Sequence, residues 1–277
     1  MMGDTEPTMT QLCDLRAAIL DMDGVLYRGE TPLPGASDLI AWLRQEGLPF
    51  LLLTNNSTLD PAAYECKLAQ MGIDVPAGQI ITSAVATADF LVHSLPSGAH
   101  VYVVGEDGLR ACVAARGFVL SERDPQAVVV GLDRQLTYAK LRIAGLAIRA
   151  GAAFIATNPD RTLPTEAGEV PGAGAIVAAL EAATDVAPTI IGKPEPPMME
   201  MALARLGQPA SRTVAIGDRV ETDIAGGQRL GLPTILLLSG VTRVPPPAES
   251  VTQPTWVFAG APELLAAWRG EIERARA

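Results

Sequence analysis

The sequence predicts an α/β protein: a Rossmann-like core with a mostly parallel sheet, into which a second α/β unit is inserted. Short apolar runs alternate with helical patterns along the chain, an order typical of parallel sheets joined by helices. The stretch between about residues 84 and 188 has strand and helix patterns of its own. The simplest organisation is a core formed by residues 1–83 and 189–277, with an inserted domain at 84–188.

The core is predicted from apolar runs on both sides of the insert. Before the insert, Gly47 ends one helix, and a second helix runs from Pro61 in its first turn to Gly72. The predicted strands there are 16–20, 49–53 and 79–82, and the first helix is 36–46. After the insert, the predicted strands are 189–191, 213–216, 234–238 and 256–258, separated by helices near 196–206, 222–230 and 262–275.

The inserted unit repeats the same alternation. Its predicted strands are 101–104, 127–130 and 153–156, and its predicted helices lie near 107–116, 137–150 and 173–184. The segment 160–172, DRTLPTEAGEVPG, is rich in glycine, proline and charge. Such a composition predicts an exposed loop.

The composition excludes several classes of function. The chain has 277 residues, of which 48% are hydrophobic, enough for a substantial core. A formal net charge of -10 gives no general attraction for nucleic acid or anionic lipid. No apolar stretch reaches the ~18 residues of a membrane helix. The acidic N-terminus is unlike a signal peptide, and three scattered cysteines indicate a reducing compartment. We therefore expect a cytoplasmic protein.

Four predicted core strands are each followed by polar residues. In chain order these residues are Asp21 with Asp23, Thr54 with Asn55, Lys193, and Asp218 with Asp223. Ligands bind outside the carboxyl ends of parallel strands, so we expect these groups to meet at one edge of the sheet. Converging carboxylates repel each other unless a cation lies among them, and Mg²⁺ prefers hard oxygen ligands. Together with a lysine and a hydroxyl, such a site suits a phosphoryl group.

Asp21 and Asp23 fit two different catalytic tasks. In an extended segment, residues i and i+2 point to the same side. One carboxylate can attack phosphorus and form an aspartyl-phosphate. The other can protonate the leaving oxygen and later activate water, because crowding raises the pKa of a carboxyl that is not bound to metal.

Four motifs, DMDGVLYRG, LLTNNS, IGKPEP and IGDRVETDI, occur in this order. They resemble the four motifs of the haloacid dehalogenase superfamily of phosphatases, and most closely its NagD-like and 4-nitrophenylphosphatase-like branch. That branch carries a large α/β cap between its second and third motifs, and the insert at 84–188 matches this cap. The resemblance covers nearly the whole chain, and the four motifs in order are much more specific than any one of them.

The resemblance implies a role for each motif residue. Asp21 would be the nucleophile and Asp23 the acid/base. Mg²⁺ would be held by Asp21, the backbone carbonyl of Asp23, and Asp218. The other implied residues are Asp223 as a support of the metal site, Thr54, Asn55 and Lys193 as ligands of the phosphate, and Asn158 and Asp160 in the cap segment that faces the active site. A homodimer through the cap is a further expectation from the family.

The first hypothesis is therefore a Mg²⁺-dependent phosphatase of small phosphorylated metabolites: sugar phosphates, nucleoside monophosphates, phosphoglycolate, glycerol phosphate or aryl phosphates. The alternative is a non-catalytic phosphoacceptor of the receiver type, which also uses an acidic cluster, Mg²⁺, a hydroxyl and a lysine on a parallel sheet. Asp23 and the insert separate the two, because a receiver needs neither an acid for a leaving alcohol nor a cap. Turn or helix-end roles stay open for Asn158, Asp160 and Asp223.

Overall fold

The computed structural model describes residues 11–165 and 168–277. Its strands are β1 (Ala17–Asp21), β2 (Tyr27–Arg28), β3 (Thr31–Pro32), β4 (Phe50–Thr54), β5 (Ile80–Thr82), β6 (His100–Val104), β7 (Val119–Leu120), β8 (Ala127–Val130), β9 (Ala153–Ala156), β10 (Thr162–Thr165), β11 (Gly168–Pro171), β12 (Thr189–Ile190), β13 (Thr213–Gly217), β14 (Thr234–Leu237) and β15 (Trp256–Phe258). Its α-helices are α1 (Ala36–Gln45), α2 (Pro61–Gln70), α3 (Ser83–Ser94), α4 (Asp107–Ala115), α5 (Tyr138–Arg149), α6 (Ala173–Thr184), α7 (Pro196–Leu206), α8 (Ala225–Arg229) and α9 (Ala261–Arg276).

A six-stranded sheet forms the core, with the strand order β15-β14-β13-β1-β4-β5 and parallel pairing throughout. From β1 the chain builds one side of the sheet with β4 and β5, and later the other side with β13 to β15. The direction of winding therefore reverses beside β1, and a crevice forms at the carboxyl ends of β1 and β13. The predicted parallel α/β core is confirmed.

A second parallel sheet has the order β12-β9-β8-β6-β7. It contains the three strands predicted for the insert, but also the strand predicted at 189–191. That strand was expected to belong to the core; instead Thr189 pairs with Ile155 and Ile190 with Ala156. The domain boundaries 1–83, 84–188 and 189–277 stay a prediction. In the structure, the strand that directly follows the predicted insert completes the second sheet.

Three other segments differ from their sequence patterns. The expected loop at 160–172 contains the antiparallel hairpin β10–β11. Helix α3, at 83–94, was not predicted because its residues are almost uniformly apolar or small and show little amphipathic period. The helix expected near 222–230 begins as a π-helical turn, Val220–Ile224, and continues as α8. This irregular turn places Asp223 beside the end of β13.

A buried hydrophobic layer joins the two sheets. Ile19 and Leu51 of the first sheet belong to the same cluster as Val103 and Val129 of the second. Helices α3 and α7 also contribute to this cluster. The other face of the first sheet is covered by α1 and α9, and the other face of the second by α5 and α6. No helix within the described ranges has the length and apolar character needed to span a bilayer.

Candidate active site

Three aspartates meet at the crevice of the first sheet. Asp21 is the last residue of β1, Asp218 directly follows β13, and Asp223 lies in the π-helical turn after it. One carboxylate oxygen of each lies within 4.8 Å of the others. The strand-end argument therefore brings together residues that are 197 positions apart in the chain, as expected for parallel strands that end at one edge.

Lys193 lies within this acidic cluster. Its side chain is buried, and its Nζ donates to Asp21 Oδ1 at 2.5 Å and to Asp223 Oδ1 at 2.6 Å. Burial alone lowers the pKa of a lysine, but the Coulomb attraction of Asp21 and then Asp223 outweighs it and raises the pKa of Lys193. The two carboxylates thus favour the charged form of Lys193, which holds the Asp21 carboxylate at the end of β1.

The carboxylates still carry more negative charge than one lysine balances. Desolvation by burial raises the pKa of Asp21, and Asp223 and Asp218 raise it further against the attraction of Lys193. Burial, followed by repulsion from Asp223, raises the pKa of Asp218 to about 7. Such repulsion is relieved when a cation binds among the oxygens. The donor set is all oxygen, so these residues fit a hard divalent ion such as Mg²⁺.

The structure groups Asp223 with Asp21 and Asp218, whereas the family resemblance implies Asp23 as the third ligand, through its backbone carbonyl, and Asp223 as a support. The metal set stays a prediction. Asp23 is exposed to solvent and lines the cavity beside the cluster. Desolvation raises the pKa of Asp23, while Lys67, Arg219 and Arg28 oppose this effect. A raised pKa suits a group that must hold a proton before it gives it to a leaving oxygen.

The Asp218 and Asp223 side chains occupy space that is free only because three neighbouring residues are glycines. A Cβ on Gly24 or on Gly240 would collide with the carboxylate of Asp218, and a Cβ on Gly217 would collide with Asp223. The Oδ2 atom of Asp218 also accepts a hydrogen bond from the backbone N–H of Val241 at 2.5 Å. The position of the Asp218 carboxylate is thus fixed by backbone from two separate loops.

Asn55 joins three segments of the chain. Its Oδ1 accepts from the backbone N–H of Lys193 at 2.8 Å, and its Nδ2 donates to the carbonyl of Lys193 at 2.8 Å. The same Nδ2 donates to Asp160 Oδ2 at 3.2 Å. Its side-chain amide is thus engaged in holding Lys193 and Asp160, and its predicted role as a phosphate ligand stays a prediction. Thr54 is buried and lines the cavity, and its Oγ1 accepts from the backbone N–H of Asn56 at 3.1 Å.

Asn158 and Asp160 reach the core from the segment that follows β9. Asn158 Nδ2 donates to the backbone carbonyl of Asn55 at 2.7 Å, and Asn158 Oδ1 accepts from the backbone N–H of Asp160 at 3.1 Å. Burial raises the pKa of Asp160, against a hydrogen bond from Asn55. Both residues line the same cavity as Asp21, so the structure brings all the predicted site residues to one place.

A cavity of about 110 Å³ opens beside the aspartates. Residues that the sequence analysis did not single out also line it: Tyr27, Asn56, Ser57, Tyr64, Leu132, Thr162, Leu163, Gly172, Ala173, Arg219, Thr222 and Val241. Arg219 and Leu132 each follow a strand end, so the strand-end rule could have found them. The tyrosines come from β2 and α2, and no sequence signal connects them with the cavity.

Comparison with known proteins identifies the class. A family model of haloacid dehalogenase-like hydrolases matches residues 18–119, and a second model, HAD-hydrolase-like, matches residues 190–264. The acid sugar phosphatase of Staphylococcus aureus is 40% identical over 252 residues, which are 91% of this chain and 97% of that protein.

Two solved structures extend this similarity. The 4-nitrophenylphosphatase of Thermotoga maritima is 35% identical and superposes with a TM-score of 0.86 over 92% of this chain and 98% of that one. The glycerol phosphate phosphatase Rv1692 of Mycobacterium tuberculosis, solved in complex with magnesium, is 35% identical, with a TM-score of 0.83 over 93% of this chain and 78% of that one.

The fold and the site define a hydrolase with an aspartate cluster at the switch point of a parallel sheet. The chain belongs to the haloacid dehalogenase-like hydrolases. The family predicted from the four motifs, and its NagD-like and 4-nitrophenylphosphatase-like branch of phosphatases, are confirmed.

Proposed function

We propose that this protein is a Mg²⁺-dependent phosphatase that hydrolyses small phosphomonoesters through an aspartyl-phosphate on Asp21. One observation carries the proposal: Asp21 binds the ammonium group of Lys193 and belongs to one cluster with the carboxylates of Asp218 and Asp223, beside a cavity that Asp23 also lines. The similarity to an acid sugar phosphatase, a 4-nitrophenylphosphatase and a glycerol phosphate phosphatase supports phosphomonoesters as the substrate class.

In the first step, an Asp21 carboxylate oxygen forms a bond to phosphorus while the ester P–O bond breaks. The Asp23 carboxyl gives its proton to the leaving oxygen, so the alcohol departs neutral. Lys193 orients the Asp21 carboxylate through its 2.5 Å bond and offsets the negative charge that gathers there. Mg²⁺, held by Asp21 and Asp218, would supply charge neutralisation of the phosphoryl oxygens.

In the second step, Asp23 accepts a proton from water as the water oxygen attacks the same phosphorus. The bond between phosphorus and Asp21 breaks, inorganic phosphate leaves, and both carboxyl groups return to their starting protonation states. The segment with Asn158 and Asp160 follows a strand of the second sheet and lines the cavity, where it would limit the access of bulk water.

Asp23 and the second sheet favour this function over the receiver-type phosphoacceptor. A receiver keeps its phosphoaspartate and has no alcohol to protonate, so it has no use for an acid beside the nucleophile. Asn158 and Asp160, which also line the cavity, can contact an organic leaving group, and a receiver has no such group. The predicted cytoplasmic location and the homodimer stay predictions.

Metal removal tests the proposal. Treating the protein with EDTA is expected to reduce phosphate release from a panel of sugar phosphates, glycerol phosphate and 4-nitrophenyl phosphate by at least about tenfold, and added Mg²⁺ should restore it. Ca²⁺, whose larger radius suits more ligands at longer distances, serves as the matched control and should restore much less. Turnover that is unchanged after chelation would contradict the metal requirement. If the folded protein hydrolyses nothing on the panel, the phosphoacceptor function takes first place.

Gly240→Ala tests whether the position of Asp218 matters for this activity. The added methyl group collides with the Asp218 carboxylate and displaces it, so we expect kcat/KM to fall about 100-fold, the effect of a ligand moved by about 1 Å. Gly78→Ala is the control, because nothing lies within 4 Å of its added Cβ. Equal activity of Gly240→Ala, Gly78→Ala and wild type, with all three folded by circular dichroism, would show that the carboxylate position is not critical.

A further inference from the structure

Arg219 is a cation of the active-site cavity that the steps above do not use. It follows Asp218, and its backbone N–H donates to Asp223 Oδ2 at 3.1 Å. The residue is half-buried and lines the cavity. Among residues 11–165 and 168–277, no hydrogen-bond or ion-pair partner binds its guanidinium group. The backbone of Arg219 is thus held by Asp223, while the five N–H donors of its guanidinium group are available to a ligand.

Arg219 lines the cavity together with Asp23, Asp160 and Asp218. Burial raises the pKa values of Asp23, Asp160 and Asp218, and the Arg219 guanidinium opposes the rise at each of them. The guanidinium therefore lies within electrostatic reach of the proposed acid, of the metal cluster and of the segment after β9. This is the space where the leaving group of a phosphomonoester must lie, because Asp23 protonates its bridging oxygen.

The charge of the cavity decides which leaving group fits. Five aspartates and two cations line it: Asp21, Asp23, Asp160, Asp218 and Asp223, with Lys193 and Arg219. With the Asp23 carboxyl protonated and a divalent ion bound, the other four carboxylates only balance the cations, so the phosphoryl group itself makes the cavity negative. A second anionic group on the substrate would then be repelled by the Asp160 carboxylate and by the bound phosphoryl group. A neutral group rich in hydroxyls can instead donate to a carboxylate and accept from a guanidinium at the same time.

Asp160 can still accept such hydrogen bonds. Asn55 Nδ2 approaches Asp160 Oδ2 at 3.2 Å and Oδ1 at 3.4 Å, and a carboxylate has about four acceptor sites. The bond from Asn55 fixes the carboxylate without saturating it. Leu132 and Leu163 line the same cavity and offer apolar surface for the C–H groups of a carbohydrate.

We propose that Arg219 and Asp160 together recognise the leaving group of a phosphorylated polyol. Arg219 donates hydrogen bonds to hydroxyl or ring oxygens of the substrate, and the Asp160 carboxylate accepts from a neighbouring hydroxyl. The inference rests on the proposed phosphatase function and narrows its substrates to sugar phosphates and related polyol phosphates. Both residues act on specificity and not on the attack at phosphorus.

Arg219→Met and Asp160→Asn test the pair with two kinds of substrate. The polyol probe is the best substrate among glucose 6-phosphate, ribose 5-phosphate and glycerol phosphate; the other probe is 4-nitrophenyl phosphate, whose leaving group has no hydroxyl beyond the phosphoester oxygen. Each variant is expected to lower kcat/KM for the polyol phosphate by about 10- to 100-fold, the loss of a hydrogen bond to a charged group. For 4-nitrophenyl phosphate we expect a clearly smaller loss, so the ratio of the two kcat/KM values should fall at least about tenfold.

Arg28→Met is the matched control. Arg28 also opposes the rise in the Asp23 pKa, but it does not line the cavity, and its guanidinium donates to the carbonyl of Ser239. It should leave the ratio of the two kcat/KM values unchanged. Arg219→Lys should recover part of the polyol activity, because a donor and a charge return.

The outcomes separate this inference from the proposed function. An equal loss of kcat/KM for both probes would overturn it, because Arg219 would then serve general electrostatics or structure. A wild-type protein that hydrolyses 4-nitrophenyl phosphate but none of the polyol phosphates would also overturn it, while the phosphatase function stands. A wild-type protein that hydrolyses neither probe with Mg²⁺ would refute the phosphatase function itself.

Discussion

Asp21→Asn is expected to abolish phosphate release, with kcat lowered at least about 10⁴-fold, because an amide oxygen is a poor nucleophile and no aspartyl-phosphate can form. The side chain keeps its shape at the end of β1, and its Oδ1 can still accept from Lys193 Nζ, 2.5 Å away in the wild type. We therefore expect the variant to fold. The measurement is steady-state phosphate release with saturating Mg²⁺, together with a thermal unfolding curve.

Asp38→Asn is the control for this exchange, because Asp38 is an exposed residue of α1, and it should have wild-type activity. Rapid acid quench of the wild-type protein during turnover should also trap phosphate on the peptide that contains Asp21, and the variant should trap none. Residual turnover above about one hundredth of the wild-type rate in Asp21→Asn would mean that another group attacks phosphorus.

Lys193→Met is expected to damage both stability and activity. Lys193 is 2% exposed, and its loss leaves Asp21 and Asp223 as buried carboxylates without their shared cation. Breaking a buried ion pair from one side costs about 3–5 kcal/mol of folding free energy. We expect a loss of that size in urea denaturation without added metal, and no detectable phosphate release from the protein that remains folded.

A second substitution identifies the cause of the instability. Lys193→Met combined with Asp223→Asn removes one unpaired carboxylate and should recover a measurable part of the lost free energy of unfolding. Arg44→Met is the surface control, since Arg44 pairs with the exposed Asp74 at 3.0 Å, and should cost less than about 1 kcal/mol. A Lys193→Met protein as stable as wild type would show that the buried carboxylates do not need this cation.

The strand-end rule accounts for most of what the sequence predicts about the site. It requires only that β1, β4 and β13 are parallel neighbours, and their apolar runs are visible in the sequence. Asp21, Thr54 and Asp218 then meet whatever the details of packing are. The same rule extends to Arg219, the residue that directly follows Asp218.

Features that depend on tertiary partners were beyond the reach of sequence patterns. The strand Thr189–Ile190 is too short for its periodicity to indicate which of two parallel sheets it joins, and only its register with β9 decides this. Five of the eight residues in the strands of the hairpin β10–β11 are threonine, proline or glycine, so its composition resembles a loop. The hydrogen-bond partners of the Asn55 amide are residues more than one hundred positions away along the chain, so no local pattern around Asn55 indicates them.

The hydrogen bonds of the Asn55 side chain determine when the active site can be completed during translation. Asn55 is synthesised early, but its partners are Asp160 and the main chain of Lys193. A nascent chain that has not reached Lys193 carries Asp21 without its cation, and one that has not reached Asp223 lacks the rest of the acidic cluster. During translation the catalytic centre therefore stays incomplete until about four fifths of the polypeptide has left the ribosome. Until then β1 can pair with β4, but it lacks its other neighbour in the sheet, β13.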